Sequence, residues 1–258
     1  LNAVYPSVYF FSAKALQEVP PIFLELNKVF RQEDPVFIDL LNALRHQHLN
    51  EAQRAVLDQR ISAKPPSDTI HLVTHRQQAQ AVNQTRLDAL EGELNFYKAE
   101  VKGDFPERLF PLSEELALKI GARVMFIRND GEGKRFYNGK IVEVLSLGEE
   151  EIIVDLDGED FSVPKHKWEN ISYVAGKAGE PEEKVLGSFE QYPLRLAWAI
   201  TVHKSQGLTF EKAHLDLGRA FAPGQVYVAL SRLRSLEGLT FLISYFKKIT
   251  VIVHGDDF

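Results

Sequence analysis

Cysteine is absent from the 258 residues, which removes disulfides and cysteine-ligated zinc from consideration. That suits a reducing compartment, a bacterial-type cytoplasm or another intracellular space. Long apolar runs are missing too. The longest, Leu194 to Val202, is broken by Arg195 and is far too short to cross a bilayer. No signal-peptide pattern opens the chain, and no membrane association is expected. An excess of positive charge is also lacking: a net charge of −6 argues against a protein that coats nucleic acid through bulk electrostatics. Methionine is confined to Met125, so Leu1 does not read as a natural start. Leu1 to Ala13 reads as an apolar strand that begins without a turn or cap, as expected of a piece taken from a longer chain. A removed tag or leader is the alternative.

What is present is ordinary globular material. Apolar residues make up 45% and charged residues 26%, which excludes a disordered chain and leaves room for one large or two modest domains. The charge is unevenly spread. Between Arg123 and Lys140 five basic residues face only Asp130 and Glu132, whereas Glu143 to Asp160 holds eight acidic residues and no basic one. A narrow basic groove on an acidic body remains compatible with nucleic-acid binding.

Asp34-Pro35 followed by Phe37, Leu40, Leu41 and Leu44 predicts a helix, with Asp as cap, Pro at the first position and apolar residues on one face. A second helix is expected over 50–60, a chain break over Lys64 to Asp68, and a strand over Thr69 to Thr74. His75 to Leu90 reads as a helix with Ala79, Val82, Leu87 and Leu90 inward and Gly92 past its end. After about residue 119 the texture changes. ARVMFI (122–127), GKIVEVLSL (139–147), EIIVDL (151–156) and DFSVP (160–164) are short strands separated by Asn129-Asp130-Gly131, Gly148-Glu149 and Asp157-Gly158 turns. They describe a small β-barrel, closed by a polar connector over Gly176 to Glu183. Beyond it, Leu194 to Gln206 reads as a helix ended by Gly207, Lys212 to Leu217 as a strand, Gln225 to Leu233 as a helix and Leu239 to Ser244 as a strand. The fold class is α/β: a parallel-sheet domain over 1–118 and 194–258, interrupted by the barrel over 119–193.

Two strings stand out, AITVHKSQGLT at 199–209 and GQVYVALSR at 224–232, together with Phe30-Arg31-Gln32. They resemble the motifs of the second RecA-like lobe of superfamily 1B DNA helicases of the Pif, RecD and Dda type. The likeness extends over Leu26 to Asp34, the Asn83 helix, Gly121 to Met125 and Tyr137-Asn138-Gly139, and so covers nearly the whole chain from about residue 22. The paired strings are highly specific; the FRQ triplet alone is weak. The resemblance implies a RecA-like domain carrying an SH3-like barrel, in the C-terminal motor portion of an ATP-dependent helicase moving 5′ to 3′ on single-stranded DNA.

The chemistry of these residues fits that implication. A lobe that senses a terminal phosphate across a gap needs a group that is always charged and forks onto oxygens, which is arginine. By resemblance Arg31 and Arg232 are the two fingers, and Gln32, Gln206, Gly207 and Gln225 approach the nucleotide; Tyr227 is a packing residue. A surface arginine in an ion pair is the bland alternative for each. Single strands offer phosphates to small hydroxyl, amide and ammonium donors. Thr201, His203, Lys204 and Ser205 form such a patch, expected in the last turn of a helix, where cations are favoured in any case. Thr74, His75, Arg76 and Asn83 are a second set of candidate DNA contacts, with bracing of a loop the alternative for Asn83. Arg123, Arg128, Lys134, Arg135 and Lys140 of the barrel either flank the DNA or form an ordinary solvated face.

The chain departs from the family in one respect. No G-x-x-x-x-G-K-[ST] loop and no acidic magnesium-binding strand occur in it; Gly131 to Arg135 has neither the spacing nor the strand-to-helix setting. ATP and Mg²⁺ are therefore expected only in a longer protein, with an upstream RecA-like lobe as partner. This piece is expected to be monomeric, to bind neither alone and to be inactive by itself. The reading from another class is a non-catalytic DNA- or protein-binding module derived from a helicase.

Overall fold

The computed structural model describes residues 7, 9–24, 30–46, 48–62, 66, 69–131, 133–175, 180–217 and 223–242. By its internal contacts the chain divides into two units, Leu1–Phe30 and Arg31–Phe258. The first holds a 3₁₀ turn at Phe10–Ser12 and a short helix at Ala15–Glu18, with Phe10, Phe11, Ile22, Phe23 and Leu24 exposed. The expected strand over Leu1 to Ala13 is thus not formed in its described part, where the chain turns on itself through Ala13 N–H to the Phe10 carbonyl.

The second unit is built on a four-stranded parallel sheet in the order Ala199–Thr201, Ile70–Val73, Ala213–Asp216, Leu239–Phe241. Side chains alternate across it. Ile70, Leu72, Ile200, Ala213 and Leu215 enter a large core with the helices Pro35–Arg45, Glu51–Asp58 and Pro223–Leu230. Val73 and Ala199 face the other way, onto Ala79 of the helix Arg76–Asp88. Helices therefore cover both faces, as a parallel sheet requires. The first core helix starts as its sequence predicts: the Asp34 side chain accepts from Val36 N–H, Pro35 opens the helix, and Phe37, Leu40, Leu41 and Leu44 are buried. Each such side chain contributes roughly 1.5–3 kcal/mol. Asn50 and Gln53 form a reciprocal capping box at the next helix.

Between the first and last parallel strands lies antiparallel structure. A five-stranded sheet runs Leu194–Leu196, Arg123–Phe126, Ile141–Leu147, Ile152–Leu156, Glu159–Ser162. Its core stacks Phe126 on Phe136, with ring centroids 3.9 Å apart, beside Phe161. The Asp157-Gly158 turn takes positive φ at both residues (59° and 90°), the two-residue hairpin its sequence predicts. A three-stranded sheet joins Glu100–Gly103, Pro181–Gln191 and His166–Ala175, and Asn95–Lys98 pairs with Glu115–Leu118.

Two expectations are corrected. Leu194 to Gln206 is not a helix but two short strands, Leu194–Leu196 and Ala199–Thr201, then a 3₁₀ turn at His203–Ser205. A strand buried on both faces reads as a continuous apolar run, which periodicity cannot distinguish from a buried helix. The polar stretch Gly176 to Glu183 is not all connector: Pro181 to Glu183 begin the long strand, while 176–179 lie outside the described residues, as do 25–29 of the FRQ region, most of the break over Lys64 to Asp68, and Ser244. Among the described residues no helix is long and apolar enough to cross a membrane.

Candidate functional site

Two groups of the selected residues come together: one beside the segments that lead into the strands Ala213–Asp216 and Leu239–Phe241, where Phe210 pairs with Leu233, the other at the C-terminal ends of Ile70–Val73 and Ala199–Thr201, where open α/β sheets place ligands. The first surrounds Ser231. This residue follows the Pro223–Leu230 helix and extends its last turn by donating N–H to the Tyr227 carbonyl. Arg31 reaches it from the start of the unit: its Nε donates to Thr209 Oγ1 (2.9 Å) and its Nη1 to the Ser231 carbonyl (2.7 Å). Buried Gln32 donates to the same carbonyl (3.2 Å) and to that of Leu233 (2.7 Å). Arg232 donates Nε to the Val228 carbonyl (3.0 Å), one of the orphan acceptors of the helix end, and Nη2 to the Ser231 hydroxyl (2.8 Å). Burial first, and then the like charge of Arg31, lower the Arg232 pKa; no carboxylate opposes them. The guanidinium groups are half-buried, and Arg31 Nη2 and Arg232 Nη1 have no acceptor among the described residues. Two cations held together with donors unspent fit a multiply charged anion such as a polyphosphate. They do not fit a metal ion, and no group of three metal-ligating side chains occurs among the described residues.

Gln225 is buried in the first turn of the same helix. Gln206 and Gly207 are exposed, Gly207 at φ 82°, in the loop that leads to Thr209. That loop joins the two groups, since it begins at Thr201.

The second group lines a cleft of about 950 Å³, whose walls include Arg76, Asn83, Arg108, Arg195, Thr201 and Lys204. Thr201 ends its strand, and its Oγ1 accepts from Lys204 N–H at 3.3 Å. His203 and Lys204 are exposed residues of the 3₁₀ turn, Lys204 on the wall of the cleft. Burial, then Arg195 and Arg76, lower the Lys204 pKa. Thr74 is buried, with Oγ1 lacking a hydrogen-bond partner among the described residues, while half-buried His75 and exposed Arg76 open the neighbouring helix.

Other selected residues serve the scaffold. Ser205 is fully buried and spends its hydroxyl on the Val202 carbonyl (2.7 Å). Asn83 grips the backbone of Ala199 with both ends of its amide, donating to the carbonyl (2.9 Å) and accepting from N–H (2.8 Å). Around the five-stranded antiparallel sheet, Arg128 meets His166, Arg135 pairs with Asp130, Lys140 with Asp157, and Arg123 reaches the Thr69 carbonyl. Arg135 closes on the Asp130 carboxylate with both its backbone N–H and its Nε (3.1 Å each), and Lys134 takes φ 50°.

Sequence reasoning missed four residues: Thr209 and Ser231, which hold Arg31, and Arg108 and Arg195 of the cleft. Thr209 and Ser231 sit inside the very strings that were singled out. Arg195 was visible as a charge interrupting an apolar run.

No family model matches the chain. It is 33% identical over 249 residues to the human ATP-dependent DNA helicase PIF1, covering 92% of this chain and 37% of that protein. Among solved structures, Bacteroides sp. Pif1 in complex with ADP-AlF4 superposes with a TM-score of 0.82 at 34% identity, over 99% of this chain and 61% of that one. Bacteroides Pif1 bound to single-stranded DNA gives 0.66 at 37%, over 93% and 56%. The chain thus spans little more than a third of its human relative's length. Its parallel α/β sheet is the RecA-like fold of these enzymes, and the chain belongs to the Pif1-type helicases of superfamily 1B.

Proposed function

We propose that this chain is the C-terminal motor portion of an ATP-dependent DNA helicase that moves 5′ to 3′ on single-stranded DNA. In this reading residues 1–118 and 194–258 form the second RecA-like lobe, and 119–193 an inserted SH3-like barrel. Arg31 and Arg232 are the fingers that stabilise charge on the transferred phosphoryl group, an effect worth roughly 10³ to 10⁵ in rate in related systems. Gln32, Gln206, Gly207 and Gln225 flank the nucleotide. Thr201, His203 and Lys204, with Thr74, His75 and Arg76, grip the DNA backbone. An upstream lobe supplies the phosphate loop and the Mg²⁺ ligands.

One observation carries the reading: both guanidinium groups converge on Ser231, unopposed by any carboxylate, each with a donor to spare. A non-catalytic module would leave that costly arrangement of like charges without a purpose. The loop from Thr201 to Thr209 further supports it, since it has a DNA-side hydroxyl at one end and an Arg31 acceptor at the other. A shift in backbone grip is thereby transmitted to the finger. The test is ATP hydrolysis by the longer polypeptide with and without single-stranded DNA. A stimulated rate that Arg232→Ala reduces by at least a thousandfold is expected; an unchanged rate in that variant removes the finger assignment.

A further inference from the structure

We propose that Arg195 is a phosphate ligand in the DNA cleft, the buried third member of a cationic triad with Arg76 and Lys204. This rests on the cleft being the nucleic-acid groove of the proposed function. Three observations point to it.

First, Arg195 is misplaced as a structural residue. It lies in the middle of the edge strand Leu194–Leu196, paired to Met125, between Leu194 and Leu196. Its guanidinium is largely buried, yet its Nε has no acceptor and its Nη2 makes only a long bond, 3.4 Å, to the Pro111 carbonyl. A guanidinium withdrawn from water without a counter-ion is unfavourable unless a partner arrives to neutralise it. Second, the shortage of counter-charge is shared. Among the described residues none of Arg76, Arg195 and Lys204 is in an ion pair, and Arg195 and Arg76 both bear on Lys204 without any opposing carboxylate. Glu107, Glu114 and Glu115 also border the cleft, but Glu114 is directed to Lys98 at 3.6 Å. Third, all three cations and the Thr201 hydroxyl line one cleft. A half-buried planar fork, an exposed ammonium, an exposed second guanidinium and a hydroxyl in one cleft suit a phosphodiester better than a base.

The experiment is fluorescence anisotropy of labelled oligo-dT titrated with the 258-residue chain, between about 50 and 300 mM salt, for the wild type, Arg195→Gln and Arg195→Lys. Gln retains a donor for the Pro111 carbonyl while removing the charge. Arg234→Gln, an exposed partner of Glu211, is the control for loss of any one positive charge. One phosphate contact on a single strand contributes about 0.7 to the slope of log affinity against log salt. Arg195→Gln is expected to lower the slope by about that amount and to weaken binding about tenfold, while Arg195→Lys recovers the slope but not all the affinity, and Arg234→Gln changes neither. A folded Arg195→Gln chain with the wild-type slope overturns the assignment. Should that variant fail to fold, Arg195→Lys decides: affinity equal to the wild type overturns it, because a point charge cannot replace a fork on phosphate. Absence of salt-dependent binding by the wild-type chain would instead sink the groove itself, and with it the DNA part of the proposed function.

Discussion

Arg31 and Arg232 are tied to the two sides of a single residue, Arg31 to the carbonyl of Ser231 at 2.7 Å and Arg232 to its hydroxyl at 2.8 Å. Their separation is therefore set by the geometry of one amino acid rather than by two independent rotamer choices. The hydroxyl does double duty, since it also donates to the Val228 carbonyl at 2.9 Å. Ser231→Ala should remove one of the two bonds that hold the Arg232 guanidinium, leaving it on the Val228 carbonyl alone and free to swing, while the backbone N–H of residue 231 still holds the helix end. The expected outcome is a fall of about tenfold or more in DNA-stimulated ATP hydrolysis, since misplacing a stabilising charge by an ångström costs rate steeply. Ser231→Thr, which keeps the hydroxyl, should retain most of it. Equal rates in all three proteins would show that Ser231 does not position the finger.

Asn83 offers a test of the opposite kind. Its amide satisfies both backbone groups of Ala199, the first residue of an edge strand, so Asn83→Ala leaves a donor and an acceptor unpaired. A loss of roughly 1–3 kcal/mol in unfolding free energy is expected. The salt dependence of oligo-dT binding, by contrast, should be unchanged. A stable variant with a reduced salt slope would restore Asn83 to the DNA contacts.

These two cases show which parts of the site were legible. That Arg31 and Arg232 belong together could be read because both stand in specific strings, and the fold does bring them to one residue, Ser231. The Asp34-Pro35 start and the Asp157-Gly158 hairpin could be read because their backbone demands are local. Asn83 and Arg195 were harder to place because their neighbours lie across the fold, the Ala199 backbone for Asn83 and Arg76 and Lys204 for Arg195; for Asn83 the sequence offered bracing only as an alternative. The misread helix at Leu194 to Gln206 follows from the same blindness. Its residues are buried from two sides by elements far away in sequence, and that erases the alternation that marks a strand.

Gly139, just before the strand Ile141–Leu147, packs against Leu208 of the loop that carries Gln206 and Gly207. It adopts φ 99°, and a Cβ at this position would lie 2.7 Å from Leu208 Cδ2. Gly139→Ala is therefore expected to destabilise the chain by about 1–2 kcal/mol from the left-handed backbone, with a further steric contribution from Leu208. Thermal melts should show Leu208→Ala in the Gly139→Ala background recovering the steric part only. Strict additivity of the two substitutions would mean that the turn and the loop do not bear on each other.

The parallel sheet also carries a built-in acid sensitivity. His71 and His214 occupy paired positions on adjacent strands, with ring centroids 5.4 Å apart, and His214 Nδ1 lies 3.0 Å from Thr240 Oγ1. Burial, then His214, Arg86 and Arg123, lower the His71 pKa to about 4, against an opposing pull from Asp216. Burial likewise lowers that of His214, again opposed by Asp216. Folding thus favours the neutral form of both rings, whereas the unfolded chain takes up protons near the ordinary histidine value of about 6.5. A folded pKa below the unfolded one means that stability is complete above about pH 6.5 and declines as the pH falls toward 4. The melting temperature should consequently drop between pH 7 and pH 5. The double variant His71→Gln, His214→Gln should remove most of that drop while costing some stability at pH 7. If the double variant keeps the full decline, the acid sensitivity resides in the carboxylates, and the histidine pair does not control it.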